Sequence, residues 1–278
     1  MISILAFEFF RNALVAGLLA SITCGIIGTY VVVKKLVALS GGVSHAAFGG
    51  IGLGYYAGFD PILGAIGFSL ASALGMGMVS LRAKQHLDTL IGAIWAIGMA
   101  IGIMFISLTP GYAPDLFSFL FGNILLVPAG DLVIMAVLAV MIVIVVIACY
   151  QTFLAVTFDE EYAMVLDIPV EIVSLLLLSL VALTVVMLIR IVGIILVIAL
   201  LTLPAAISRE YCSHLKNMMV LSVVVGILVT TGGIFLSYFL DVPSGATIIL
   251  IAAGLYGLVL VERALRKNNR RAPLPKNT

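Results

Sequence analysis

Charged side chains are scarce in this 278-residue chain: Asp, Glu, Lys and Arg make up 10% of it, and the formal net charge is +1. Soluble domains carry about 25% charged residues, whereas hydrophobic residues here reach 63%. The mean hydropathy is +1.31, and apolar stretches of about 20 residues, long enough to cross a bilayer as helices, recur along the chain. This composition excludes a water-soluble globular fold, and the balanced charge gives no indication of a nucleic-acid partner. The sequence predicts a protein embedded in the lipid bilayer.

Cysteines and catalytic motifs are also few. The three cysteines (Cys24, Cys149 and Cys212) lie in or next to apolar segments without a CxxC pair, so we expect packing roles. The chain has no GxxxxGK[ST] to bind ATP and no HExxH or GxSxG. Acidic residues fall in loops or near segment ends, whereas ion-coupled carriers usually place them within spans. These absences favour a non-enzymatic conduit powered by another protein, with an ion-coupled secondary transporter as the alternative.

The hydropathy pattern predicts an all-α fold, a polytopic transmembrane helical bundle that forms a single domain over residues 1–278. Apolar runs without period-2 alternation indicate helices and not barrel strands. The nine segments are 12–33, 41–58, 62–81, 90–108, 132–150, 172–189, 191–207, 219–240 and 246–261. The two segments flanking Arg190 could also form one bent helix, so we expect eight to nine spans.

Basic residues predict the orientation, because cytoplasmic loops of membrane proteins are enriched in Lys and Arg. With nine spans, 12 of the 14 basic residues fall on one face: Lys34, Lys35, Arg82, Lys84, Arg209, Lys216 and six more in the tail, residues 262–278. We therefore expect this basic tail and the C-terminus in the cytoplasm and the N-terminus outside. An eight-span count would move the N-terminus to the other side.

Residues 151–171 form a loop that is longer than a simple connection requires. Asp159 is placed to cap a short helix, Glu160 and Glu161 lie in its first turn, and Pro169 follows its end. The loop contains no Lys or Arg, which is unusual for a cytoplasmic loop. It is either a short interfacial helix or a rigid element that contacts a cytoplasmic partner.

The second segment combines small residues with a histidine. Two adjacent rows recur at every fourth position: Gly42, Ala46, Gly50, Gly54 and Gly58, and beside them Gly41, His45 and Gly49. Rows of small side chains let membrane helices approach closely, so we expect His45 to face protein and not lipid. His45 either donates to a backbone carbonyl across a helix contact or faces an ion path, since neutral imidazole is a common ligand of transition metals. His86 and His214 fall in loops and are expected to be solvated.

Four stretches in order resemble one family, the permease subunits of ABC importers for zinc, manganese or iron(II). FRNALVAGLLASITCGIIGTYVVVKKLVALSGGVSHAAFGG (10–50) is similar to the opening helix, basic pair and Ser-His-Ala helix of that family, with Ser44 before His45. RIVGIILVIALLTLPAAIS (190–208) is similar to its helix that starts at glycine and ends with proline. DVPSGATIILIAAGLYGLV (241–259) is similar to its last span, and TFDEEYAMVLDIPV (157–170) lies where the family has a cytoplasmic coupling segment.

The resemblance implies a homodimer of permease subunits in the cell membrane that conducts a divalent metal ion, with no permanently bound cofactor. A separate ABC ATPase subunit would hydrolyse ATP and dock on the coupling segment, and an extracytoplasmic metal-binding protein would deliver the ion. The docking residues expected from this likeness are Phe158, Asp159, Glu160, Glu161, Tyr162, Ala163, Asp167 and Pro169. His45 would contact the ion in the translocation path.

Two positions depart from the family pattern. Gly41 replaces the acid that precedes the histidine by four residues, which removes the carboxylate that manganese favours and suits zinc or iron(II) better. Asp167 stands where the family usually has glycine. A permease for a metal chelate, which would need a wider path, is a further alternative.

Overall fold

The computed structural model describes residues 6–82, 87–110 and 122–269, and this part of the chain is helical. The helices are α1 (Glu8–Val33), α2 (Val37–Ala57), α3 (Pro61–Arg82), α4 (Leu87–Leu108), α5 (Ala129–Ala148), α6 (Tyr150–Phe158), α7 (Glu160–Val165), α8 (Val170–Val192), α9 (Ile194–Tyr211), α10 (Leu215–Leu240) and α11 (Ser244–Asn269). A single turn of 3₁₀ helix, Ile124–Leu126, precedes α5. The prediction of an all-helical bundle is confirmed for these residues.

Eight of the described helices are long and apolar enough to cross a membrane, and α2 is not among them. Its glycines, serines and histidine lower its hydropathy, although its 21 residues extend over about 30 Å, the thickness of the hydrocarbon core. Every residue from Leu39 to Gly52 of α2 is buried. The helix therefore needs no lipid-facing apolar surface, because α3 and α4 cover it. With α2 included, nine of the helices in the described part of the chain have membrane-spanning length, the upper count that the sequence predicts.

Long-range contacts show that these helices alternate in direction between two ends of the bundle. At one end, the Arg209 side chain of α9 donates to the Val32 carbonyl of α1 (3.4 Å). The side chain of Lys34, just beyond α1, reaches the Val156 carbonyl of α6 (2.9 Å). We call this the basic end. At the opposite end, Asn12 donates to the Val127 carbonyl (3.3 Å).

The chain reverses direction at Gly193, which separates α8 from α9. Its φ of 79° lies in the left-handed region that glycine adopts without a steric penalty, and the α-helix cannot continue through it. Glu171, at the start of α8, lines a cavity at the basic end together with Lys34, and α9 finishes at that same end. Residues 172–207 thus form two antiparallel helices, and the alternative of one bent helix is wrong.

The predicted grouping of basic residues at one face is present for the groups whose side chains the structure describes. The Tyr211 hydroxyl of α9 donates to Glu262 of α11 (2.6 Å), which brings the start of the tail to the basic end. Lys84, His86 and residues 270–278 lie outside the described part of the chain, as do the side chains of Arg82 and Arg190. One prediction is incomplete: residues 150–158 are also helical, so the loop contains two short helices and not one.

Candidate functional site

The helix α2 is held against α3 by backbone-to-backbone contact at its glycines. A Cβ added at Gly50 would overlap the carbonyl group of Gly64, and one added at Gly64 would overlap the carbonyl of Gly50. A Cβ at Gly54 would lie 2.6 Å from Pro61 Cα. Only hydrogen fits at these three positions, so α2 and α3 approach each other closely at Gly50 and Gly54.

A second set of small residues holds α2 against α4. A Cβ at Gly98 would lie 2.6 Å from Ala46 Cα, and one at Gly52 would overlap the backbone of Gly102. Ala46 therefore faces α4, whereas Gly50 faces α3, so the predicted row serves two different neighbours. Its last member, Gly58, is not a packing residue, because a Cβ there would meet nothing within 4 Å. With a φ of 74°, Gly58 ends α2 in the left-handed conformation typical of helix C-caps.

His45 belongs to this closely packed part of α2 and is 8% exposed. Its imidazole stacks on the indole of Trp95 in α4, with ring centroids 4.1 Å apart and planes 15° from parallel. Its Nδ1 is buried and has no hydrogen-bond partner in the described structure. A buried nitrogen without a partner is uncommon, and the cross-helix hydrogen bond that a purely packing role would provide is missing at this atom. The histidine faces protein, as predicted.

The other residues predicted around the path have identifiable neighbours. Ser44 donates its hydroxyl to the Ser40 carbonyl one turn earlier (2.8 Å), so its side chain is satisfied within α2. A Cβ on Gly42 would lie 3.2 Å from Ile91, a tight packing contact with α4. A Cβ on Gly41 would lie 3.6 Å from Trp95 Cζ3, an ordinary van der Waals distance.

Metal-ligating side chains are sparse around His45. Among residues 6–82, 87–110 and 122–269, no group of three or more His, Cys, Asp or Glu side chains could hold an ion. His45 is therefore the one His, Cys, Asp or Glu side chain that α2 supplies. A site with few protein ligands suits a conduit, which must release the ion it binds.

The coupling segment folds as its sequence predicts at α7. Asp159 is the N-cap, and its carboxylate accepts from the Tyr162 backbone N–H (2.9 Å). Glu160 and Glu161 occupy the first turn, where negative charge is favourable, and Pro169 immediately precedes α8. Large side chains on this segment face outward: Phe158, Tyr162, Met164, Val165 and Leu166 are each at least half exposed. Ala163 is fully buried, so it anchors α7 and is not available for docking.

The structure gives a reason for the glycine that the resembled family has at position 167. Asp167 adopts a φ of 55°, in the left-handed region where Asp and Asn are tolerated and glycine is favoured. Asp167 can therefore adopt the same backbone conformation as the glycine of the family, and the turn from α7 into α8 is the same.

Two contacts at the site were not predicted. Lys34 is 12% exposed at its side chain and bonds to both Glu160 (3.0 Å) and the Val156 carbonyl (2.9 Å). This basic group, just beyond α1, supplies the positive charge that residues 151–171 lack. The absence of Lys and Arg from that loop was the feature of the sequence that could have indicated a basic partner from elsewhere in the chain. Trp95 was missed as well, although it is the one tryptophan of the chain. His214 is exposed, as expected for a loop residue.

Comparison with known proteins agrees with this architecture. An uncharacterized membrane protein of Synechocystis sp. is 49% identical over 263 residues, which cover 95% of this chain and 94% of that protein. The manganese transport system membrane protein MntC of Halalkalibacterium halodurans is 32% identical over 255 residues, covering 92% and 87%. A chain of a solved structure, described as PsaBC from Streptococcus pneumoniae in complex with Fab, superimposes with a TM-score of 0.83 at 31% identity, covering 93% of each chain.

The sequence profile of the ABC 3 transport family matches residues 6–263. This match covers the first eight of the nine described helices of membrane-spanning length in full, including α2 with His45, and it covers the coupling segment and α11 as far as residue 263. It confirms the resemblance to metal-type ABC permeases that the motifs indicate. The chain belongs to the ABC 3 transport family.

Proposed function

We propose that the chain is the membrane-spanning permease subunit of an ABC importer for a divalent transition metal ion such as zinc, manganese or iron(II). The observation that carries the proposal is the buried Nδ1 of His45, which has no protein partner in the described structure. A neutral imidazole nitrogen is a good ligand for these ions. The name of the Halalkalibacterium relative, a manganese transport protein, supports a metal ion as the cargo.

Two copies of the permease would form the path, and an extracytoplasmic metal-binding protein would deliver the ion. An ABC ATPase subunit would bind the coupling segment at the basic end, which we place in the cytoplasm. The exposed side chains of Phe158, Tyr162 and Val165 support this docking surface, because contiguous exposed apolar groups outside the hydrocarbon core mark protein contacts. ATP hydrolysis then belongs to the partner, and the permease converts movement of α7 into helix movement.

The donor set also bears on the choice of metal. Because Gly41 supplies no carboxylate, the path at α2 offers nitrogen and not oxygen, which suits zinc or iron(II) better than manganese. The manganese protein named above is 32% identical, so it supports the metal class, and the choice among these ions needs a direct comparison.

The test is ATP-dependent metal uptake into proteoliposomes that contain the permease together with an ABC ATPase subunit. Zn²⁺, Mn²⁺ and Fe²⁺ are compared separately. We expect uptake to require ATP, and His45→Ala to lower it by at least about tenfold, the smallest loss usually seen when the surroundings of a metal ligand are altered. His214→Ala, at an exposed histidine, is the matched control. Uptake that a proton or sodium gradient drives without ATP would instead support a secondary transporter. If His45→Ala shows normal ATP-driven uptake, His45 serves in helix packing and does not bind the ion.

A further inference from the structure

The indole of Trp95 covers one turn of α2. Positions 41 and 45 are four residues apart and therefore lie on the same face of the helix. Trp95 Cζ3 lies 3.6 Å from the position of a Cβ on Gly41, and the indole centroid lies 4.1 Å from the imidazole centroid of His45. The one tryptophan of the chain thus contacts both positions of α2 that the family resemblance associates with the metal ion.

The exposures of the two rings show which one is outermost. His45 is 8% exposed, whereas Trp95, stacked on it, is 42% exposed. The glycines on the other sides of α2 bring α3 and α4 into backbone contact with it, so those sides leave no room for an ion. Access to the imidazole therefore depends on the side that the indole covers.

The absence of a long side chain at position 41 leaves room for the indole. A Cβ at position 41 would already be in van der Waals contact with Trp95, and the carboxylate of an acidic residue would add three more heavy atoms beyond it. Gly41 and Trp95 are thus complementary in volume. The space that a carboxylate would use is filled in this chain by an aromatic ring from α4.

We propose that Trp95 is a gate over His45: its indole closes the ion path at α2 and must move before a divalent cation reaches the imidazole. The identity of the ion rests on the function proposed above, but the closure itself does not. Once displaced, the electron-rich face of the ring would remain beside the path, where it attracts cations. Trp95 is a positioning residue in this scheme and supplies no ligand atom.

The first experiment measures access to His45 in the full-length protein in lipid nanodiscs. The chain has three histidines, so His86→Gln and His214→Gln together leave His45 as the one imidazole that diethyl pyrocarbonate can modify. In this background we expect Trp95→Ala to accelerate carbethoxylation of His45, followed as the ultraviolet absorbance of N-carbethoxyhistidine, by about tenfold, given the strength of a stacked aromatic pair and the burial it provides. Trp95→Phe should stay within about twofold of the parent, because a phenyl ring still covers the site. An unchanged rate in Trp95→Ala would overturn the proposal.

A second measurement needs no substitution at the tryptophan. Because Trp95 is the one tryptophan, its fluorescence reports on the gate in the otherwise unaltered protein. We expect Zn²⁺ or Mn²⁺ to change its emission and its quenching by acrylamide, and His45→Gln to abolish the response. If neither ion changes the emission while Trp95→Ala still accelerates carbethoxylation of His45, the indole covers His45 as proposed, but the proposed metal-ion cargo is refuted. The two ideas can therefore fail separately.

A double-mutant cycle tests the volume argument. Gly41→Asp should lower the melting temperature of the parent, since the carboxylate and the indole compete for one space. The same substitution should cost clearly less in Trp95→Ala, where that space is free. Equal losses in the two backgrounds would show that residue 41 and the indole do not interact and would overturn the proposed complementarity.

Discussion

Replacing Gly50 by Ala tests the close contact between α2 and α3 on which the site depends. The added methyl group would overlap the carbonyl group of Gly64, and the next nearest atom is the backbone nitrogen of Ala65. Backbone atoms of a helix cannot rotate away as the end of a side chain can. The two helices must therefore separate, and the contacts beside Gly50 are lost together with those at Gly54.

The expected cost follows from two opposing effects. Alanine is intrinsically favoured over glycine in a helix by about 0.5–1 kcal/mol. Overpacking a tight contact typically costs about 1–3 kcal/mol, and the rigid backbone on both sides of Gly50 places this case at the upper end. The matched control is Gly67→Ala on α3, because a Cβ there would meet nothing within 4 Å. The helix preference for alanine applies to both variants and cancels between them, so we expect Gly50→Ala to be less stable than Gly67→Ala by about 2–3 kcal/mol.

The assay is unfolding of the purified full-length permease in detergent, followed by far-ultraviolet circular dichroism during heating or titration with SDS. Both variants are compared with the parent protein under the same conditions. Gly67→Ala should match or exceed the parent, whereas Gly50→Ala should unfold at clearly lower temperature or SDS fraction. If the two variants unfold at the same temperature or SDS fraction, α2 and α3 are not in contact at Gly50, and the assignment of Gly50 and Gly54 to a helix contact is wrong.

Three further substitutions test the coupling segment. Lys34→Met removes the bonds to Glu160 and the Val156 carbonyl and should lower stability by about 1–2 kcal/mol, measured by thermal unfolding; an equal loss in Lys267→Met, at an exposed lysine, would contradict a specific role. Asp159→Ala removes the N-cap bond to Tyr162 and should cost about 1 kcal/mol, seen as faster amide hydrogen exchange in α7, whereas Glu161→Asp, which keeps the charge of the first turn, should leave the exchange unchanged. Asp167→Val should destabilise by about 1–2 kcal/mol, because a β-branched residue is strained at a φ of 55°. Asp167→Gly should be tolerated, and equal melting temperatures for these two variants would rule out backbone strain at this turn.

The number and approximate limits of the long helices could be predicted because that information is local. The predicted segment 132–150 corresponds to Ala129–Ala148, and 219–240 corresponds to Leu215–Leu240. The N-cap at Asp159 was also predictable, since a cap depends on a few consecutive residues. The reversal at Gly193 was less certain, because a glycine within an apolar run is compatible with both a bend and a turn.

The candidate site could be predicted only in part. The periodic small residues identified α2 as a closely packed helix, but this period does not say which neighbour each residue meets. Ala46 and Gly50 belong to one row in the sequence and yet contact α4 and α3 respectively. The stacking of Trp95 on His45 was not predictable, because it joins residues of two helices whose relative rotation no local pattern reports.

The amino-acid sequence alone determined that this protein is a bundle of membrane-spanning helices. Within a bilayer each segment must satisfy its own backbone hydrogen bonds, and a run of about 20 apolar residues can do so only as a helix. Tertiary structure decided which side chains meet: Lys34 with Glu160, 126 positions later, and His45 with Trp95. These pairs depend on how closely glycines allow the helices to approach and on how each helix is turned about its axis, which are properties of the whole bundle.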